Sequence, residues 1–153
     1  MDPEHIACWQ RIDARVTTSG RLEAPDIDAL AAIGVAHVVN LALAESPGAL
    51  ADEADLLAQR GIAYTHIPVP FGAPDEAHFA AFRKALEGGK EPVHVHCIMN
   101  WRVSAFLFRW NRDHAGMAEA EARALMERQW SPETSDHADA PAWASFIARK
   151  DAA

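Results

Sequence analysis

Two hydrophobic patterns alternate along the chain, and each one predicts a different kind of element. Apolar residues spaced three to four positions apart, such as Ile27, Leu30 and Ile33, are typical of a helix that buries one face. Short runs rich in β-branched residues, such as residues 36–41, are too brief for a helix and are typical of buried strands. The patterns therefore predict strands separated by helices.

The order of these elements indicates the class of fold. Strands that recur at intervals of ~25–30 residues with helices between them imply crossover connections and parallel pairing. We therefore predict a single α/β domain over residues 1–153, with a central, mostly parallel sheet of four or five strands and helices on both faces. In chain order, the predicted elements are an edge hairpin within 9–18, a helix at 23–34, a strand at 36–41, a helix at 47–60, a strand at 63–69, a helix from 74 to 88, a strand at 92–97, a helix through 103–110, and helices at 117–129 and 141–150.

Composition and charge exclude several functions. The 22 acidic residues outnumber the 14 basic ones, and the net charge of −8 repels nucleic acid and anionic membrane surfaces. No apolar run approaches the ~18 residues needed to span a bilayer. The first residues do not resemble a secretion signal, so we expect a cytoplasmic protein in which Cys8 and Cys97 are reduced. We expect neither a nucleic-acid nor a membrane partner.

The junction after the strand at 92–97 combines groups that suit chemistry on an anion. In parallel sheets, ligands bind beyond the carboxyl ends of the strands, where helix N-termini present unpaired N–H groups. Cys97 stands at such a junction, and Arg102 follows five residues later. A thiol beside a helix N-terminus and a guanidinium has its thiolate form stabilised. The same amides and Arg102 could hold an oxyanion, so one loop could supply a nucleophile and an anion-binding site.

This stretch resembles a known signature. The residues from His96 to Ser104 are similar to the pattern His-Cys-x5-Arg-Ser/Thr of the protein tyrosine and dual-specificity phosphatases, which depend on a cysteine. Residues 15–22, 37–41 and 66–69 resemble a small bacterial branch of that class. The resemblance implies a dual-specificity phosphatase-like fold and hydrolysis of phosphate monoesters through a phosphocysteine. It also implies a phosphorylated small molecule or phosphoprotein as substrate, with no metal and no organic cofactor.

The resemblance also implies catalytic roles. Cys97 would be the nucleophile, Arg102 would hold the phosphate, Ser104 would help the thiolate to leave, and Asp75 would protonate the leaving alcohol. The loop departs from the family pattern, because only four residues separate Cys97 from Arg102 and Val103 occupies the usual arginine position.

The loop and its flanks are expected to bind the substrate. The loop lacks glycine, although a loop with inward-facing amides usually needs a positive φ, and Asn100 is the best substitute. His96 is expected to orient the loop through hydrogen bonds, and aromatic residues to flank the substrate. The predicted binding residues are His96, Ile98, Met99, Asn100, Trp101 and Phe71.

Other interpretations stay open at this point. A cysteine followed by an arginine at this spacing also resembles the rhodanese-type sulfurtransferases, whose cysteine carries a persulfide. A non-catalytic, phosphate-binding pseudophosphatase is a further alternative. His94 and His96 alternate next to Cys97, but a zinc site needs three or four ligands and no second cluster supplies them, so we predict no metal. The Asp136–His137 pair is interpreted as part of a solvated surface loop.

Overall fold

A five-stranded sheet forms the centre of the molecule. The computed structural model describes residues 1–151, and in it the strands lie in the order β1-β2-β5-β3-β4. β1 pairs antiparallel with β2, and all other pairs are parallel, which confirms the predicted class of fold. The strands are β1 (Gln10–Arg11), β2 (Val16–Ser19), β3 (His37–Asn40), β4 (Ala63–His66) and β5 (Val93–His96).

Helices cover both faces of the sheet, and the central strand β3 contributes an apolar side chain to each face. Val38 belongs to one hydrophobic core, together with residues of α1 and α2, whereas Val39 belongs to the other, together with residues of α3 to α6. None of the helices within residues 1–151 has both the length and the apolar character required to cross a membrane. The helices are α1 (Ala24–Ala32), α2 (Glu53–Gln59), α3 (Glu76–Glu87), α4 (Trp101–Asp113), α5 (Glu119–Glu127) and α6 (Ala140–Ala148).

The predicted elements are all present, most of them with ends that differ by a few residues, and β4 ends at His66 instead of continuing to 69. The second helix is shorter than the predicted 47–60, because residues 47–48 and 51–52 form turns and Gly48 has a positive φ of 88°. Only β1 of the N-terminal hairpin lies at the edge of the sheet, because the second strand of the hairpin, β2, also pairs with β5. This pairing brings the end of β2 beside the end of β5.

His94 is a buried structural residue of β5. Its Nδ1 accepts from the hydroxyl of Thr17 at 2.9 Å, and its Nε2 donates to that of Ser19 at 2.8 Å, since Ser19 uses its own proton on the carbonyl of Gly20. Burial holds the pKa of His94 well below its usual value, so the ring is neutral. Within residues 1–151 no group of three His, Cys, Asp or Glu side chains could hold a metal ion.

A buried arginine joins the C-terminal end of the described chain to the helical layer. The Arg109 side chain is fully buried, with its guanidinium 4.1 Å from the ring centre of Phe79 and 4.6 Å from that of Phe146. It forms two hydrogen bonds of 2.8 Å to Glu76 and one of 3.0 Å to Asp151. The bonds from Arg109 are the main reason that the pKa of Glu76 falls from 4.5 to about 2.

This ion pair predicts a loss of stability in acid. Because folding depresses the pKa of Glu76, its contribution is present above pH 4.5 and is lost as the pH falls through about 2. We expect Glu76→Gln to lower the Tm at neutral pH and to reduce the dependence of Tm on pH between these two values. Thermal melts across this range measure the effect. Glu87→Gln, which removes only a partner of Arg83, serves as control. An equal dependence of Tm on pH in both variants would contradict the prediction.

Candidate active site

Cys97 lies at the carboxyl end of the central strand β5. The strands on either side fix its backbone, because its N–H donates to the carbonyl of Ser19 at 3.4 Å and the neighbouring His96 carbonyl accepts from Leu41 at 2.9 Å. The Cys97 side chain is buried but borders an open cleft of about 300 Å³. Residues from four separate parts of the chain line this cleft: Ser46, Pro47, Phe71, Cys97, Ile98, Met99, Trp101, Arg102 and His137.

The loop after Cys97 presents free backbone donors. The N–H groups of residues 98–103 donate to no acceptor within the described chain, whereas Ser104 N–H begins the helical pattern by donating to the Asn100 carbonyl at 3.0 Å. The carbonyl of Ile98 accepts the N–H of Arg21 at 2.8 Å, and it therefore faces the end of β2. A run of unpaired amides at the start of a helix is a binding site for an anion. The anion would lie beside the sulfur of Cys97.

Asn100 allows the loop to turn into α4. Its φ of 66° is in the left-handed region, as the absence of glycine from the loop predicts. Its Nδ2 donates to the carbonyl of Cys8 at 2.8 Å and to the hydroxyl of Thr18 at 3.0 Å. The Asn100 side chain therefore ties the loop to Cys8 and Thr18, and it does not line the cleft.

Gly20 packs directly against the loop. A Cβ at this position would lie 2.5 Å from the carbonyl oxygen of Ile98, closer than two such atoms can approach. The close approach allows the adjacent Arg21 N–H to hold that carbonyl in its orientation. The shape of the loop therefore depends on a glycine outside it.

We expect Gly20→Ala to distort the loop. The added methyl group must displace the backbone of Ile98, which costs about 1–3 kcal/mol of folding stability and misaligns the amides that face the anion. Phosphate affinity, measured by calorimetry, should fall about tenfold or more. Gly88→Ala, where the new Cβ meets its nearest neighbour at 3.4 Å, is the matched control and should bind phosphate normally. Normal binding by Gly20→Ala would show that the amides do not form the anion site.

Arg102 lies in the wall of the cleft. Its side chain is largely buried, and Nη1 donates to the carbonyl of Val69 at 2.9 Å. The guanidinium lies 5.8 Å from the ring centre of Phe71. Its Nε and Nη2 groups donate to no acceptor in residues 1–151, so they are free for an oxyanion. The shorter spacing from Cys97 thus still places the guanidinium in the same cleft as the sulfur.

His96 lies behind the loop and orients it. Its Nδ1 donates to the carbonyl of Cys97 at 3.2 Å, since a carbonyl can only accept, and its Nε2 is 2.6 Å from the Glu53 carboxylate. Both side chains are buried. Sequence reasoning missed Glu53, although the i, i+4 spacing from Leu57 places this acid on the buried face of α2. An acid on the buried face of a helix is a signal for a site in the sequence, because a buried carboxylate requires a hydrogen-bonding or charged partner.

The structure does not bring Asp75 or Ser104 to the cleft. Asp75 is exposed at the N-terminus of α3, and its carboxylate accepts the N–H of His78 at 2.8 Å. Ser104 points into the helix, where its hydroxyl donates to the carbonyl of Trp101 at 2.8 Å. Both would have to leave these bonds to act on a substrate, so their catalytic roles stay predictions.

His137 lines the cleft although sequence reasoning did not place it in the site, and the same is true of Ser46 and Pro47. His137 is exposed, as the interpretation of a solvated loop predicts, but it also lines the cleft. Its ring centre is 5.0 Å from that of Phe71 and 6.2 Å from that of Trp101, both in edge-on geometry. The indole of Trp143 donates to the Phe71 carbonyl at 2.6 Å, which joins these loops. No local pattern predicts contacts between positions so distant in sequence.

Comparisons with known proteins agree with this geometry. No protein-family model matches the sequence, and no curated protein does so either. Among solved structures, a predicted phosphatase of the DUF442 group from Shewanella putrefaciens CN-32 is similar, with 26% identity, a TM-score of 0.81, and coverage of 95% of this chain and 93% of that one. TpbA from P. aeruginosa, solved in complex with pTyr, has 18% identity, a TM-score of 0.72, and coverage of 99% and 88%.

A third structure, Tk-PTP in its active form, has 23% identity and a TM-score of 0.67, with coverage of 91% of this chain and 95% of that one. The chain therefore has the fold of the cysteine-dependent phosphatase superfamily, as the resemblance of the residues around Cys97 implies. The neighbours support a phosphatase-like function.

Proposed function

We propose that the protein hydrolyses phosphate monoesters through a phosphocysteine on Cys97. The observation that carries the proposal is the run of unpaired amides at residues 98–103, in the loop and helix start next to Cys97 and Arg102, which line the same cleft. The unpaired amides and the free Nε and Nη2 donors of Arg102 match the non-bridging oxygens of a phosphoryl group. No acidic side chain is among the described residues that line the cleft, so the anion meets no local repulsion despite the net charge of −8.

The chemistry follows from the position of the sulfur. The Cys97 thiolate attacks phosphorus, a sulfur–phosphorus bond forms, and the bond to the ester oxygen breaks with its electron pair moving to that oxygen. Arg102 and the amides hold the three remaining oxygens during the transfer, where charge stabilisation contributes most. Water then attacks the phosphocysteine, which releases inorganic phosphate and restores the thiolate.

The substrate is proposed to be a phosphorylated small molecule or phosphoprotein with an aromatic group at the ester. Phe71 and Trp101 form apolar walls of the cleft, and the side chain of Met99 at its rim is 53% exposed. Aromatic walls with a few polar groups suit a flat ring carrying a phosphate. The complex of TpbA with pTyr supports the same kind of ligand.

Hydrolysis of 4-nitrophenyl phosphate by the purified protein tests the proposal. We expect saturable release of nitrophenol and phosphate without added metal. Binding of the ester without turnover would contradict the proposal and favour a non-catalytic phosphate-binding protein. Incubation with thiosulfate tests sulfur transfer, because a persulfide on Cys97 would add one sulfur to the mass. That mass increase, without ester hydrolysis, would replace the proposal by the sulfurtransferase alternative.

A further inference from the structure

His137 is the polar side chain on the aromatic side of the cleft, and the proposed phosphoryl transfer gives it no role so far. Cys97, Arg102 and His137 line the same cleft, and the His137 ring lies against Phe71 and Trp101. Ser46 lines the wall next to the 47–48 turn, and Gly48 of that turn packs near Ile98. A phosphate held by Arg102 and the loop amides would therefore lie in the same cleft as the His137 ring.

The hydrogen bonds of His137 define which nitrogen carries the proton. The backbone N–H of Asp139 donates to Nδ1 at 3.0 Å, so Nδ1 presents a lone pair. In a neutral imidazole the proton is then on Nε2, which is a donor. Nδ1 faces the backbone of the residue's own loop, so Nε2 faces away from that loop. The edge-on contacts with Phe71 and Trp101 hold this orientation.

We propose that His137 donates a hydrogen bond from Nε2 to the ester oxygen of the substrate, and that this contact makes the enzyme selective for aryl phosphates. The inference rests on the proposed function. As the sulfur–phosphorus bond forms, the electron pair of the breaking bond moves to the ester oxygen, which leaves as a phenolate held by the Nε2 proton. The phenolate takes a proton from water after release.

A neutral imidazole explains the selectivity. It stabilises the negative charge that develops on the leaving oxygen, but it does not transfer its proton fully, because the imidazolate left behind is too basic. A phenolate is a weak enough base to leave under these conditions, whereas the alkoxide from an alkyl phosphate is not. Asp75, which could transfer a proton only as the carboxylic acid, caps α3 and lies outside the cleft.

The experiment compares kcat/KM for a series of aryl phosphates of increasing leaving-group basicity. For His137→Ala we expect the loss to grow from about threefold with 4-nitrophenyl phosphate to about 30-fold with phenyl phosphate, the range of a hydrogen bond to a developing charge. His137→Gln places an amide N–H near Nε2 and should recover most of the activity. Asp136→Asn, in the same exposed loop but outside the cleft, is the control.

The pattern of loss separates this role from a structural one. A merely structural role for His137 would lower kcat/KM equally for all esters and would not be rescued by glutamine. Such a uniform loss overturns the proposal. The proposal is also overturned if Asp75→Asn shows a loss of kcat/KM that grows with leaving-group basicity and His137→Ala does not.

A binding measurement keeps this inference separate from the proposed function. In a Cys97→Ser background, His137→Ala should weaken phenyl phosphate binding about threefold, whereas the control Asp136→Asn should leave it unchanged. Equal affinities for phenyl phosphate with and without His137 would overturn the inference. Absence of Cys97-dependent hydrolysis in the parent protein would instead overturn the proposed function, and the binding result would still decide the contact made by His137.

Discussion

Replacing Cys97 by serine is expected to lower kcat/KM for 4-nitrophenyl phosphate at least about 1,000-fold, because a serine hydroxyl in this site is not ionised and no neighbouring base activates it. The loop amides and Arg102 are unaffected by the change, so inorganic phosphate should bind the variant as tightly as the parent protein. Steady-state kinetics and calorimetry measure the two effects.

Cys8→Ser is the matched control for this variant. The Cys8 side chain is exposed, and its contribution to the loop is a backbone carbonyl that accepts from Asn100, which serine retains. Activity within about twofold of the parent is expected for this control. If Cys97→Ser retained the activity of the parent, the nucleophile would have to be another group, and the proposed mechanism would be wrong.

Arg102→Lys is expected to lower kcat/KM about 100-fold, the second large effect. The guanidinium can donate to the carbonyl of Val69 and to a phosphate at once, because its donors point in different directions within one plane. A lysine ammonium is a compact point charge without this fork, so it either binds the carbonyl or approaches the phosphate. Arg128→Lys, at an exposed position outside the cleft, controls for the change of residue type.

The outcome distinguishes a bidentate contact from charge alone. If positive charge were the only contribution of Arg102, lysine would restore most of the activity that Arg102→Ala loses. Equal activity of Arg102→Lys and the parent protein would contradict the geometry described for the cleft wall. Phosphate affinity of both variants, measured alongside, shows whether the loss is in binding or in the chemical step.

The sequence predicted the sheet and the loop well because these depend on local patterns. The β-branched run that becomes β3 is apolar on both faces, which is typical of a central parallel strand, whereas in β5 the valines alternate with buried histidines. The loop at their carboxyl ends follows from the order of strand and helix. Asn100 was predictable because a positive φ in a loop without glycine has few other solutions.

The walls of the site could not be predicted because they depend on tertiary packing. His137 reaches the cleft through contacts with Phe71 and Trp101, and both of its neighbours in sequence are exposed. Asp75 satisfies an N-cap equally well wherever the α3 axis points, so its sequence position does not define the direction of its carboxylate. The pairing of Glu53 with His96 likewise joins two separate elements.

The central claim is that the Cys97 sulfur receives the phosphoryl group, and trapping the intermediate tests it most directly. A single turnover of 4-nitrophenyl phosphate should be quenched in acid within milliseconds, and the digested protein analysed by mass spectrometry. We expect one added phosphoryl group on the peptide that contains Cys97, together with a burst of nitrophenol that matches the enzyme concentration. Phosphate on a different residue, or full turnover with no phosphoenzyme and no burst, would contradict the account.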